Sequence, residues 1–228
     1  MDHAATPVTL PRGLIFLSFL WLVASWSASI GVRPPVFPSA ASYEPGVKRM
    51  LLGVVIGLMV AWPLYRLSQP RSLAPIRQTL LDLTVMLSMT QVVIWPLRLI
   101  TSWTRERTAA MDLTIIAWTL LAGALVASTL GARPGRVRVL GMLGCLGLCL
   151  AGPLAAWLGL QFRVEALDLI DLSPLLSINT LGDGKSAPIT PAQWASITWL
   201  WVAAVAAWIA LALTRRPQSL AASGGVAA

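Results

Sequence analysis

The chain carries little charge for its length. Charged residues make up 11% of its 228 positions, whereas a soluble domain carries about 25%. A soluble protein this poor in charge could not cover its surface with polar groups, but a chain that faces lipid has no such need. The composition therefore indicates a protein whose solvent is largely hydrocarbon.

Histidine is almost absent and cysteine is rare. The single histidine, His3, lies in the polar N-terminal segment, whereas haem, copper and proton-relay sites in membranes generally use histidines inside helices. We therefore predict no metal and no cofactor. Cys145 and Cys149 share one helix face, where a disulfide would be strained. We interpret them as small packing residues, with a thiol metal pair as the alternative.

Long apolar stretches dominate what remains. Hydrophobic residues account for 57% of the chain, and a membrane-spanning helix needs about 20 of them in succession. We predict an all-α membrane bundle with six transmembrane helices, in a single domain over residues 1–214 with a disordered tail at 215–228. The predicted spans are residues 13–31, 50–65, 79–97, 110–131, 139–160 and 194–213.

Two of these spans are less certain than the rest. The second is short, because Pro45 is assigned to the loop before it. The first could be a cleaved signal peptide, since it follows Arg12 and ends near Ser27-Ala28-Ser29. Its length and its two tryptophans favour a retained helix, and five spans is the alternative count.

Basic residues set the expected partners and orientation. The net charge is +8, but the basic residues are scattered through short loops, which favours anionic lipid headgroups over nucleic acid. The basic residues are almost evenly divided between the two sides of the membrane, so they give only a weak preference. We predict both termini in the cytoplasm and location in a bacterial inner membrane.

Asp82 is the carboxylate that the sequence places within a span. It lies near the positive N-terminal end of the third predicted helix, with Arg77 close enough in sequence to neutralise it. Ion pairing and a role in ion or proton transport are both open interpretations. Thr84, Ser88 and Gln91 form a polar stripe on the same helix, which either bonds a neighbouring helix or lines a pathway. Together these four residues are the predicted substrate or ion pathway.

Small residues recur at spacings that allow helices to approach closely. Such positions act either in packing within one subunit or in contacts between subunits. The predicted helix-packing residues are Gly53, Gly57, Gly123, Gly141, Gly144 and Gly147.

The segment before the last span is the most distinctive loop. Glu165, Asp168 and Asp171 recur every three residues and predict a short amphipathic helix, with a cation site as the alternative. After Pro174 the chain is apolar enough to dip back into the bilayer. The glycine-rich segment at 182–186 predicts a turn, because a phosphate-binding loop needs glycine where this chain has Asn179.

This architecture resembles the exporter-type permeases of ATP-binding-cassette systems. The stretch Leu172-Ser173-Pro174-Leu175-Leu176 is similar to the Ser/Asn-Pro-apolar turn common in that family. The loop carrying Arg66, Arg71 and Arg77 would correspond to the surface that meets the ATPase. At its N-terminus the chain departs from the family, because a short polar segment replaces the usual amphipathic interfacial helix.

The expected function follows from the spans, the resemblance and the lack of a catalytic cluster. We expect a non-enzymatic permease or transport subunit that acts with membrane lipid and protein partners, such as a cytoplasmic ATPase. The alternative is a structural or accessory subunit of a larger membrane complex, packed through its glycine faces.

Overall fold

The computed structural model describes residues 12–32, 34–132, 135–162 and 173–215. Across these residues the chain is helical and contains no strand. The helices are α1 (Arg12–Trp26), α2 (Ala40–Ile56), α3 (Trp62–Ser68), α4 (Pro75–Leu97), α5 (Arg105–Leu130), α6 (Arg136–Phe162), α7 (Pro174–Asp183) and α8 (Pro191–Arg215). Wider π-helical turns continue α1 through Ser27–Gly31 and join α2 to α3 through Gly57–Ala61.

Six helical segments are long and apolar enough to cross a membrane. They are Arg12–Gly31, Ala40–Ser68, Pro75–Ile100, Arg105–Leu130, Arg136–Phe162 and Pro191–Thr214. The predicted all-α fold with six potential spans is therefore confirmed.

The second span is longer than the sequence predicted. It contains 29 residues, because α2 begins at Ala40 and includes Pro45. A capping box between Ser39 and Ser42 starts the helix before the proline. Pro45 lies so close to this start that its missing N–H deprives a single carbonyl of its partner. Assigning Pro45 to the loop was therefore wrong.

Helix α5 forms the centre of the bundle. Its most apolar window is 67% buried, compared with 11% for the windows of the first and last spans. It packs against α4, α6, α7 and α8. The side chains of α1 and α8 that remain exposed are mainly apolar, and some are large, such as Phe16 and Trp199, as expected for helices that face lipid.

The short helix α7 is tucked into the bundle. It contacts α2, α5 and α6, and Ser173 at its start donates a hydrogen bond to the Cys149 carbonyl over 3.3 Å. A side chain at Gly152 would collide with Ser173, so this glycine allows the close approach.

Both cysteines are buried and free. The predicted amphipathic helix with Glu165, Asp168 and Asp171 lies outside the described residues, as does the tail beyond residue 215.

Candidate functional site

A buried ion pair joins α3 to α4. Asp82 is fully buried, and its Oδ2 lies 2.8 Å from Nε of Arg66. Its Oδ1 accepts a hydrogen bond from Nε2 of Gln78 over 3.3 Å. The prediction that Arg77 neutralises Asp82 was therefore wrong. Residues five apart on a helix point about 140° away from each other, and Arg77 is exposed.

The surroundings of this pair are short of hydrogen bonds. Four buried polar atoms at the α3–α4 contact have no hydrogen-bond partner among the described residues: Trp62 Nε1, Arg66 Nε, Thr79 Oγ1 and Asp82 Oδ2. Arg66 and Asp82 attract each other electrostatically, but the N–H of Nε is not aligned with the carboxylate for a hydrogen bond. Trp62 lies beside Asp82. We call these four residues the α3–α4 polar cluster.

A second buried carboxyl lies on α5. Asp112 is 7% exposed, and its Oδ1 accepts a short hydrogen bond of 2.6 Å from Nε2 of Gln91 on α4. The Oε1 atom of Gln91 in turn accepts from Nε1 of Trp95 over 2.9 Å. Sequence reasoning missed Asp112 because the predicted span begins at Ala110, which makes Asp112 only its third residue and places it at the membrane surface. The helix itself begins at Arg105, which carries Asp112 two turns inside the span.

The predicted pathway residues point in three directions. Asp82 faces α3, whereas Gln91 faces Asp112 on α5. Thr84 and Ser88 are exposed, and their hydroxyls donate to carbonyls one turn earlier on α4, those of Leu80 and Thr84. The structure therefore does not bring the four side chains together. A role for any of them in transport stays a prediction.

The predicted partner-facing arginines also separate. Arg66 turns into the bundle and its side chain is 13% exposed, so its assignment to the loop surface was wrong. The attraction of buried Asp82 accounts for this, because α3 presents Arg66 to that carboxylate. Arg71 and Arg77 are exposed and lie along a polar groove that includes Ser72, Pro75 and Gly131.

Two further arginines are buried, and neither role was predicted from the sequence. The guanidinium of Arg107, 1% exposed, donates to the carbonyls of Leu181, Ala187 and Pro188. The guanidinium of Arg138, 4% exposed, donates to carbonyls at the ends of α3 and α5 and just beyond them: Leu67, Gln69, Leu130 and Ala132. The carbonyls bound by Arg138 lie where helices end and intrahelical partners are missing, whereas those bound by Arg107 lie near the end of α7 and in the loop before α8. Because Arg107 and Leu130 lie at opposite ends of α5, we name the two ends of the bundle the Arg107 side and the Arg138 side.

Other side chains fasten α7 and its following turn on the Arg107 side. Lys48 forms an ion pair with Asp183, and Nε1 of Trp103 donates to the Gly182 carbonyl over 3.2 Å. A side chain at Gly184 would collide with the guanidinium of Arg107. Of the segment 182–186, predicted as a turn rather than a phosphate-binding loop, the first two residues end α7 and residues 184–186 form the turn.

The glycines predicted for packing occupy different environments. Gly53 and Gly57 lie against α1: Nε1 of Trp21 donates to the Gly53 carbonyl over 2.9 Å, and a side chain at Gly57 would collide with the same indole. Three more lie against large side chains of other helices, Gly123 against Leu83 and Trp208, Gly141 against Thr129, and Gly144 against Leu125. Added bulk at Gly147 would meet open space.

No family model matches the chain, and no curated protein or solved structure matches it either. Among the described residues, no group of three or more His, Cys, Asp or Glu side chains could hold a metal ion. The features of the described residues that bear on function are therefore the two buried carboxyls, the α3–α4 polar cluster and the exposed arginines.

Proposed function

We propose that the protein is a non-enzymatic transport subunit that acts with partner proteins in a bacterial inner membrane, with both termini in the cytoplasm. The observation that carries this proposal is the α3–α4 polar cluster. Charged residues within membrane spans are costly, and where they occur they commonly mark ion or substrate pathways and proton relays. Here such a pair connects two consecutive spans.

The incomplete hydrogen bonding of the cluster argues against a purely structural role. Each buried polar atom left without a partner costs about 1–3 kcal/mol, and a bilayer offers no bulk water to offset that cost. Most buried polar groups are satisfied, so an exception points to a water, an ion or an alternative arrangement. At this helix contact Thr79 Oγ1 has no partner among the described residues, and Trp62 Nε1 and Arg66 Nε lie beside Asp82 without well-aligned hydrogen bonds. This supports a site that a water, an ion or an alternative arrangement could complete.

The exposed arginines support a partner on the Arg138 side. Arg71 and Arg77 line a groove just before and at the start of α4, the same helix that carries Asp82. A protein bound in this groove would press directly on the helix that holds the buried charge. Under the proposed orientation this side is cytoplasmic, which suits an ATPase subunit.

The test compares matched arginine pairs at the two ends of the bundle. Membranes of the source organism carry either R71A/R77A or the control R98A/R105A, which alters arginines on the Arg107 side. We expect the wild type and the control to migrate as a complex that hydrolyses ATP, and R71A/R77A to lose that activity from the complex. A wild type that migrates alone, or an R71A/R77A complex that keeps its ATPase activity, would contradict the proposal.

An accessory structural subunit is the second candidate. The seam between α1 and the glycines at 53 and 57 favours it, because close backbone approach is how small residues assemble helices in membranes. The discriminating variant is R66Q/D82N, which removes both charges of the pair. If the complex assembles and its ATP hydrolysis falls, transport is supported; if G57L breaks the complex while R66Q/D82N leaves its activity unchanged, the accessory role is supported.

A further inference from the structure

The environment of Asp112 differs from that of a structural salt bridge. Asp112 lies about 10 Å along α5 from its first residue, within a segment long and apolar enough to span the membrane. Its side chain faces α4, where Gln91 donates to it over 2.6 Å. Among the described residues, no lysine or arginine lies within ion-pair distance of Asp112.

Most charged groups on the neighbouring elements are already engaged with partners other than Asp112. On α5 itself, the guanidinium of Arg107 is bound to carbonyls of residues 181, 187 and 188, and Glu106 accepts from Nε1 of Trp194 on α8. At the end of α4, Arg98 lies three residues after Trp95 and forms no ion pair with another described residue. On α7, Asp183 is paired with Lys48.

A bare carboxylate would be costly in this position. Moving an unpaired ion into a low-dielectric interior costs several kcal/mol even after relaxation. The amide of Gln91 and the neighbouring indole of Trp95 are neutral donors, which offset only part of that cost. A bound cation of some kind is the physical alternative. The ligand must be either a metal ion or a proton.

The donor set favours the proton. A hard metal ion needs about six oxygen ligands, but Gln91 presents its N–H to Asp112 and uses its own oxygen to accept from Trp95. The part of the chain that the structure describes contains no cluster of metal-ligating side chains. A proton needs no such cluster.

We infer that Asp112 is a proton-binding site within the bundle, occupied at neutral pH and exchangeable through the α4–α5 contact. This inference does not depend on the proposed transport function, because it concerns the occupancy of a single carboxyl group. Asp82 is the internal comparison, since Arg66 provides the charge that Asp112 lacks.

Reaction with a carbodiimide reports directly whether the carboxyl group of Asp112 carries a proton. A protonated carboxyl adds across one C=N bond of dicyclohexylcarbodiimide: the acid proton goes to nitrogen and the carboxyl oxygen bonds to carbon. The acyl group then moves from oxygen to nitrogen and leaves a stable N-acylurea. No other reactant is consumed, and the peptide gains the mass of one reagent molecule.

The experiment treats the purified full chain with the carbodiimide at neutral pH and locates the label by peptide mass spectrometry. We expect a label on Asp112 in the wild type, loss of that label in D112N, and no label on Asp82. R66Q is the matched positive control: it removes the cation from Asp82 and should make that residue reactive as well. Labelling of Asp112 that falls with added sodium chloride, but not with choline chloride, would indicate a metal-ion site and would overturn the proton assignment.

Infrared difference spectroscopy gives a reading that does not require the reagent to reach the site. The wild-type spectrum minus that of D112N should contain the carbonyl stretch of a protonated carboxylic acid. If this band is missing, Asp112 is ionised and the inference fails. It also fails if R66Q is labelled on Asp82 while Asp112 stays unlabelled, because the reagent then demonstrably enters the bundle.

Discussion

Asp82 and Asp112 occupy equivalent places on neighbouring helices, yet their surroundings differ. Each lies seven residues after the first residue of its helix, at Pro75 and Arg105 respectively. Each accepts a hydrogen bond from a glutamine of α4. Because α4 and α5 run in opposite directions, Asp82 lies toward the Arg138 side and Asp112 toward the Arg107 side.

The difference between the two is a single cation. Asp82 has Arg66 at ion-pair distance, whereas Asp112 has amide and indole neighbours instead. Burial alone therefore does not define what a carboxyl group does in a membrane bundle. The partner decides whether the group is a fixed charge or a site that takes up a proton, and four substitutions separate these two states.

Breaking the ion pair should have the largest effect. D82N leaves the guanidinium of Arg66 largely buried without its counter-charge, and losing one partner of a buried pair costs about 3–5 kcal/mol. The free energy of unfolding is measured by titrating sodium dodecyl sulfate into mixed micelles. A loss below about 1 kcal/mol, the value for an exposed pair, would contradict a buried, paired Asp82.

Replacing Arg107 should lower stability without altering Asp112. R107Q removes most of the bonds to the carbonyls around α7, and we expect a loss of about 2 kcal/mol, since hydrogen bonds to charged groups are worth about 1.5–3 kcal/mol. The same micelle titration measures the loss, and carbodiimide labelling follows Asp112. If the labelling of Asp112 changes in R107Q, the guanidinium acts on that carboxyl and the comparison with Asp82 fails.

Removing the amide donor should have a smaller effect. Q91L deletes the hydrogen bond to Asp112 and leaves a buried acceptor, for which we expect a loss of about 1–2 kcal/mol. S88A on the same helix is the control, because Ser88 is exposed and bonds its own backbone. Equal stabilities of Q91L and S88A would show that Gln91 does not support Asp112.

Neutralising Asp112 should have the smallest effect. An amide at this position still offers an oxygen to Gln91 and removes no ion pair, so D112N is expected to lower stability by less than about 0.5 kcal/mol, in the range of changes away from critical contacts. The matched variant is D82N in the same micelles. A D112N loss as large as that of D82N would mean that Asp112 is charged and paired.

The sequence was sufficient for the spans because hydropathy is a local property. Each apolar run reports its own preference for lipid, and the six runs predicted correspond to six helices. The start of the second span was predicted too late because Pro45 was assigned to the loop. The capping residues before it, and not the proline, determine where α2 begins.

The candidate site could be predicted only in part, because its partners are distant in sequence. Asp82 stood out as a carboxylate among apolar residues, but the choice between Arg66 and Arg77 depends on how α3 packs against α4. The role of Arg107 depends on carbonyls more than 70 residues away along the chain, such as that of Leu181. Some of the carbonyls that Arg138 binds, such as that of Leu67, are equally distant in sequence. Asp112 could have been found by extending the fourth span back to its capping residue, Thr104.

The most direct test of the comparison is a double-mutant cycle on the ion pair. The unfolding free energies of wild type, R66Q, D82N and R66Q/D82N are measured in the same micelles. D82N leaves a buried guanidinium without its partner, and R66Q forces the buried Asp82 to take up a proton. The double variant does neither, so it should recover most of the loss, with a coupling energy of about 2–3 kcal/mol. Additive losses with a coupling near zero would show that Arg66 and Asp82 do not act as a pair and would contradict the account.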